Sequence, residues 1–410
     1  MTRRECLILA AAAAQAQQKS PAWRQWSGPN RNFEVPDSPP LKPQWPAAGP
    51  RVIWKRPLGE GYSSPSIDNG VLYTMYGTPG AQTTIAANAA TGKTLWEQTA
   101  HHSFRSEAPD MGHGPYATPL VAADRIFTAG VTGRVECRAR KNGALLWKQD
   151  LWYEHKGNRL PYGYASSPIA FRDTIIMPCG GRGTALIAFR QSDGAVARAA
   201  NDYPNVYSSP ILISLGGLEQ LVALMDGYLI GVNPHNGDLQ WRMPFKASYS
   251  IAVAAPVWMP GNRLFISSEY DAGTKVVSLE RKGAGTEAKE VWSSNRLRLH
   301  HGNAICIDGT IYFSSGGKGS VALMSAVDAA SGKIHWQDRT VSKATFVWAD
   351  KKLITLHQDG TLMLAQPGPE GLKILAKAEL LTSNAWTPPV LVGTRLYLRD
   401  RKSLIAVELG

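Results

Sequence analysis

Apolar residues in this chain come in short runs that alternate with polar ones and stop at turns. After the first twenty residues no stretch keeps a long helical period. "YSSPSIDNGVLYTM", "YATPLVAADRIFTA", "YASSPIAFRDTIIM" and "YSSPILIS" begin alike, with a polar stretch, a proline and a short apolar strand. The longer copies go on to a turn and a second apolar strand. "NAICIDGTIYF" follows the plan without proline. Asn69-Gly70 and Asp308-Gly309 mark tight hairpins, because both central residues of a type I′ turn need positive φ.

A second pattern follows the first. In "AANAATGKTLW" (Ala86 to Trp96), "CRARKNGALLW" (Cys137 to Trp147), "GVNPHNGDLQW" (Gly231 to Trp241) and "AVDAASGKIHW" (Ala326 to Trp336), a small residue precedes a glycine by six positions and a Trp by ten. Degenerate copies place Ala188 before Gly194, Ser278 before a longer loop ending at Trp292, and Ala365 before Gly371. Each repeat predicts four short antiparallel strands, A to D, with tight turns joining A to B and C to D. Residues 51–410 shared among eight copies give about 45 residues each, the size of a propeller blade.

The two ends of the chain complete one another. "RVIWKRPL" (Arg51 to Leu58) reads as a strand D with nothing before it, while "WTPPVLVGTRLYLRDRKSLIAVEL" (Trp386 to Leu409) supplies A, B and C and then stops. The fold expected is all-β: an eight-bladed β-propeller of four-stranded antiparallel blades, the last blade closed by the N-terminal strand. Such closure leaves no open sheet edge at the seam.

The repeated residues have structural work to do. The small residue of strand C is expected to make room for a large side chain from a neighbouring blade, with the strand D Trp as its occupant. Trp54, Trp96, Trp147, Trp241, Trp292 and Trp336 are therefore read as structural, each indole removing about 150–250 Å² from water. Pro65, Pro119, Pro168, Pro210, Pro256 and Pro389 fit an innermost strand, whose free edge can spare an N–H.

The Ala-x-Asp-x-x-Ser/Thr-Gly-Lys-x-x-Trp pattern, fullest at Ala326 to Trp336, resembles the repeat of pyrroloquinoline quinone (PQQ)-type propellers. "WRQWSGPNRN" (Trp23 to Asn32) resembles the segment preceding the propeller in exported bacterial members. The resemblance implies one of two roles. In quinoprotein alcohol dehydrogenases PQQ lies beneath a ring formed by two adjacent cysteines, with calcium held by Glu, Asn and Asp. Other relatives, including the outer-membrane-assembly scaffold lipoprotein, are non-catalytic. This sequence has no Cys-Cys pair, and no carboxylate-rich set falls at the strand A entrances. Glu60, Glu107, Asp110 and Glu154 would serve only from loops that fold inwards.

Composition adds the setting. The 410 residues are 44% hydrophobic and 19% charged, enough to bury one large closed β core. Residues 1–16 have the basic start, short apolar run and small-residue site of a signal peptide cleaved after Ala16, and Thr2-Arg3-Arg4 resembles a twin-arginine signal. Residues 17–50 form a leader, and residues 51–410 the single propeller. The protein is thus expected to be exported, to the periplasm or beyond, as a monomer. No later apolar run approaches the ~20 residues needed to span a bilayer. Cys137, Cys179 and Cys306 show no CxxC spacing and read as buried, inert thiols. A formal charge of +12 in an exported protein points away from nucleic acid and towards anionic lipid, polysaccharide or a small acidic ligand.

Strand alternation puts the B–C and D–A connections on one face, where the chain spends its extra residues. Two D–A loops stand out, Glu97 to Tyr116 and Lys148 to Tyr164, carrying His113 and Arg159 among other polar groups. Tyr62, Tyr116, Tyr164, Tyr207, Tyr249, His300, His301, Asn303 and Trp386 precede or enter strand A and are predicted to ring the channel mouth. A tyrosine-rich funnel suits sugars, quinones or an extended peptide. Arg182 in "CGGRGT" and Lys318 in "SGGKGS" are candidate anion sites. No metal site is predicted: neighbours on a strand point to opposite faces, so neither His101-His102 nor His300-His301 is expected to chelate together.

These readings favour a non-catalytic exported propeller, without cofactor, that binds a protein partner or glycan of the cell envelope through its long-loop face. A PQQ- and calcium-dependent oxidoreductase acting on alcohols or sugars is the alternative. A carbohydrate-active enzyme using Glu107, Asp110 or Glu154 is a third.

Overall fold

A computed structural model describes residues 22–109, 112–316, 322–341, 343–382 and 384–410; the predicted signal peptide, Asp110 and Lys318 lie outside them. Every described sheet is a blade, and there are eight. Blade 1 runs A to D as Ser66–Asp68, Val71–Thr78, Ala81–Asn88 and Thr94–His101. Strand A of blades 2 to 7 is Leu120–Ala122, Ile169–Phe171, Ile211–Leu215, Val257–Met259, Ile305–Ile307 and Ala344–Ala349. Blade 8 joins Val390–Val392, Arg395–Arg399 and Ser403–Glu408 to Arg51–Pro57, with Arg51 opposite Glu408 and Pro57 opposite Ser403. The seam is where the repeat pattern put it. Among the described residues no helix is long and apolar enough to cross a membrane.

The Trp repeat works differently from the expectation in one respect. Trp96 faces Ala86 across the ladder, Trp147 faces Cys137, Trp241 faces Gly231, Trp336 faces Ala326 and Trp54 faces Ala406. The small residue therefore lies in the same blade as its Trp, not in the neighbouring one. Bulk there would strike the ring, since a Cβ on Gly231 would sit 2.1 Å from the Trp241 indole. In blade 5 Trp292 faces Val276, not Ser278, because its C–D hairpin, Gly273–Lys282 with Gly285–Ser294, is longer.

The indole then crosses to the next blade. Nε1 of Trp54 donates to the Ala89 carbonyl at 3.0 Å, Trp96 to Arg140 at 2.9 Å, Trp147 to Gln191 at 3.0 Å, Trp292 to Ala329 at 3.2 Å and Trp336 to Gly368 at 2.9 Å. Four of these rings lie on the repeat glycine of that next blade: Gly92, Gly143, Gly194 and Gly332, where an added Cβ would come within 2.5–2.7 Å. Small residue, Trp and glycine form one inter-blade clasp. Trp241 is the exception, donating to Gln220 Oε1 of its own blade at 2.6 Å.

The polar residues before strand A form a second, inner set of links. The Thr118 N–H donates to Ser167 Oγ at 2.9 Å, the Ser167 N–H to Ser209 Oγ at 2.9 Å, and Ser208 Oγ to the Ala254 carbonyl at 3.0 Å. Asn303 exchanges two 2.9 Å hydrogen bonds with the Phe346 backbone, and Thr387 Oγ1 donates to the Tyr62 carbonyl at 3.0 Å. These groups are buried, and the bonds named run from blade to blade.

The described part of the leader packs on the A–B turn side. Trp23, 1% exposed, exchanges hydrogen bonds with Ile67 of strand A in blade 1, and Glu34–Val35 adds a parallel strand to Ala344–Ala349. The Leu41 N–H donates to Asp350 Oδ2 at 2.7 Å on the A–B turn of blade 7. Between these anchors Trp26 meets Phe33 edge-on at 5.3 Å, beside the residues that lead into strand A of blades 5 and 6. Through Trp26 the leader contributes to the lining of the central cavity.

Candidate ligand-binding funnel

Above Trp26 the channel widens into a cavity of about 730 Å³ towards the long-loop face. Its wall is assembled one connection at a time. The D–A connections bring Tyr62, Tyr116, Tyr207, the His300-His301 pair, Lys343 and Trp386; the second long loop brings Tyr162; the B–C loop of blade 5 brings Tyr270. His301 stacks on Trp386 at 4.8 Å, Trp386 on Tyr62 at 5.1 Å, and Tyr62 on Tyr116 at 6.2 Å, a continuous run of near-parallel rings. Opposite them Tyr162 tilts against Tyr207 at 5.8 Å. Ser106, Ser167, Ser209 and Gln358 add polar groups between the rings.

Burial sets the protonation states. It pushes the Tyr62 phenol up to about 12 and those of Tyr116 and Tyr207 higher still, so all three stay as hydroxyls across the physiological range. His300 is pulled down to about 3 by burial and by the Lys343 charge. His301 is held well below the usual histidine range by burial, His300 and Lys343. Lys343 Nζ lies 3.0 Å from His301 Nδ1 and 4.7 Å from the Trp386 ring centroid. An ammonium only donates, so Nδ1 accepts.

Of the residues predicted to form the mouth, Tyr62, Tyr116, Tyr207, His300, His301 and Trp386 reach the cavity. Three others do not. Tyr164 is wholly buried and donates to the Pro178 carbonyl at 2.8 Å, its place on the wall taken by Tyr162. Asn303 is an inter-blade staple. Tyr249 sits in the 3₁₀ turn Ser248–Ser250 with positive φ and 85% exposed, edge-on to Tyr270 outside the cavity. His113 is exposed, and Arg159 lies over the exposed ring of Tyr153 at 4.8 Å. Arg182 is exposed on its B–C loop, where the Gly183 N–H already donates to Asp202.

The histidine pair departs from the strand argument. His300 and His301 precede strand A of blade 6, outside any ladder, and both rings line the cavity with centroids 3.6 Å apart. Even so, no group of three or more His, Cys, Asp or Glu among the described residues is placed to hold a metal. Lys343, Tyr162, Tyr270 and Trp26 belong to the cavity without having been picked out from sequence. Lys343, like the tyrosines of other blades, lies on the D–A connection that leads into strand A.

The donor set can be tested against the cofactor that PQQ-type repeats imply. No described residue of the cavity wall is Asp or Glu, whereas calcium takes about six to eight oxygen ligands, mostly carboxylate and carbonyl. Glu60 pairs with Arg401 at 2.9 Å, Glu154 caps the Asp150 N–H at 2.9 Å, and Glu107 is exposed. Cys137, Cys179 and Cys306 lie in separate blades, their thiols raised by burial to about 11, 12 and 11. The described residues do not fit a calcium-held quinone, nor do they bring two carboxylates together across the cavity.

A family model of PQQ-like repeats, described as outer membrane protein assembly factor BamB, matches residues 20–201, 112–338 and 226–368. Among solved structures the chain is similar to BamB from Moraxella catarrhalis, 11% identical over 87% of this chain and 97% of that one, with a TM-score of 0.59. Quinohemoprotein alcohol dehydrogenase from Comamonas testosteroni is also 11% identical, covering 98% of this chain and 82% of its own, TM-score 0.66. Sqt1 of Saccharomyces cerevisiae is 9% identical, over 88% and 99%, TM-score 0.57. At these identities the likeness establishes the fold alone. No curated protein matches the chain.

Proposed function

The chain belongs to the PQQ-like propeller family whose model is described as outer membrane protein assembly factor BamB, and on that premise we propose a non-catalytic binding protein of the cell envelope that takes a glycan into its long-loop funnel. One observation carries this reading. The cavity of about 730 Å³ is walled by five tyrosines and two tryptophans, with serines and a glutamine between them and no described carboxylate. Rings with hydroxyl tips offer apolar surface and hydrogen bonds together, which suits a polyhydroxylated ligand. The export-type composition of residues 1–16 supports placement in the envelope.

A titration with an oligosaccharide panel, read by tryptophan fluorescence, tests it. Saturable binding is expected, with Trp386→Ala and Tyr116→Ala each weakening it by about tenfold or more and no sugar consumed. Dye-linked oxidation of alcohols or sugars in the presence of PQQ and calcium, or failure of every saccharide to bind, would overturn the reading. The second reading is a protein-binding scaffold, favoured by the family description. It predicts capture of an envelope protein that Tyr249→Ala and Arg159→Ala, at the exposed rim, would weaken.

A further inference from the structure

The funnel has one feature that a neutral ligand would leave unused. Lys343 is 8% exposed and is the only Lys, Arg, Asp or Glu among the described residues of the cavity wall. No carboxylate of the described residues lies within ion-pair distance of its ammonium. Its described partners are the His301 ring nitrogen at 3.0 Å and the face of Trp386. Burial pulls its pKa down to about 8, above neutrality, and Glu269, which does not line the cavity, acts against that pull. A buried cation with no carboxylate in contact is costly, and a ligand that brings the anion lowers that cost.

The rings point the same way. His301, Trp386, Tyr62 and Tyr116 stack on one another along the wall, so the faces between them are taken up. Aromatic edges carry the positive part of the ring quadrupole, and the phenols remain donors. Edge, hydroxyl and ammonium all favour negative charge.

We propose that the funnel selects acidic saccharides and that Lys343 pairs with a carboxylate of the bound sugar. This rests on the glycan reading and adds the charge of the ligand to it. Hydroxyl groups around the wall favour a sugar acid over an acidic peptide, which would call for a free strand edge or apolar anchor pockets.

Calorimetric titration of the mature protein with trigalacturonate, its methyl ester and galactotriose decides the matter, with hexaglutamate as the peptide arm. Trigalacturonate is expected to bind at least tenfold tighter than the ester. Lys343→Met should weaken the acid by about 30-fold or more and leave the ester unchanged, and Lys343→Arg should recover part of the loss. A thermal melt of each variant establishes that the fold is intact. Equal affinity for acid and ester, or hexaglutamate binding as tightly as trigalacturonate, overturns the proposal. Equal binding of acid and ester leaves the glycan reading standing, whereas no saccharide binding at all removes both.

Discussion

At the scale of single residues, the funnel holds its histidines and tyrosines in their neutral forms. His300, pulled down to about 3, and His301, also lowered, are neutral in the fold and free to protonate when unfolded, near pH ~6.5. Their folded pKa values lie below the unfolded ones. Their contribution to stability is therefore complete above about pH 6.5 and is lost as pH falls towards His300's folded value. Tyr270, Lys343 and Trp386 face the pair; burial raises Tyr270, and Lys343, lowered to about 8, titrates above that window. The melting temperature should drop between pH 7 and 5 more steeply in the wild type than in a His300→Asn/His301→Asn variant; parallel curves would show that the pair is protonated in the fold. Sequence reading located the aromatic side chains here because tyrosine or histidine stands out before strand A in blades 1 to 6. It passed over Lys343 because "SKATF" carries neither proline nor tyrosine, and a lysine in such a place ordinarily reads as solvated.

At the scale of strands and blades, the Trp–glycine clasp is the unit that repeats. Trp147 is buried between Cys137 of its own blade and Gly194 of the next. Trp147→Ala should cost about 3–5 kcal/mol of stability in a denaturant melt. Gly194→Ala should cost more than Gly183→Ala: both glycines have positive φ, but a Cβ meets the indole at 2.6 Å in the first and nothing within 4 Å in the second. Equal costs would mean that backbone strain alone accounts for Gly194. The four-strand repeat was legible because its spacing is periodic and its turn residues are specific. The direction of the clasp was not, since a ten-residue spacing says that small residue and Trp are related without saying which blade each one touches.

At the scale of the whole molecule, the seam determines whether the ring closes. Deleting residues 1–57 would leave Ser403–Glu408 as an unpaired edge in a three-stranded blade 8. The truncated protein should associate in size-exclusion chromatography and melt well below the full chain; a monomer of unchanged stability would show the seam to be dispensable. The seam was readable because an orphan strand D and an orphan A–B–C sit at opposite ends. The leader's place was not, for it is non-repetitive, and its Trp23 and Glu34–Val35 dock through backbone pairing that leaves no pattern in side-chain types.

The leader's Trp26 lines the funnel from the A–B turn side. Under the glycan reading, a chain entering from the long-loop face and meeting that ring would insert a terminus and withdraw by the same route. Occupancy would then count chain ends rather than polymer mass. Cutting a given weight of glycan into shorter pieces should multiply the binding equivalents it offers while the affinity of each end stays the same.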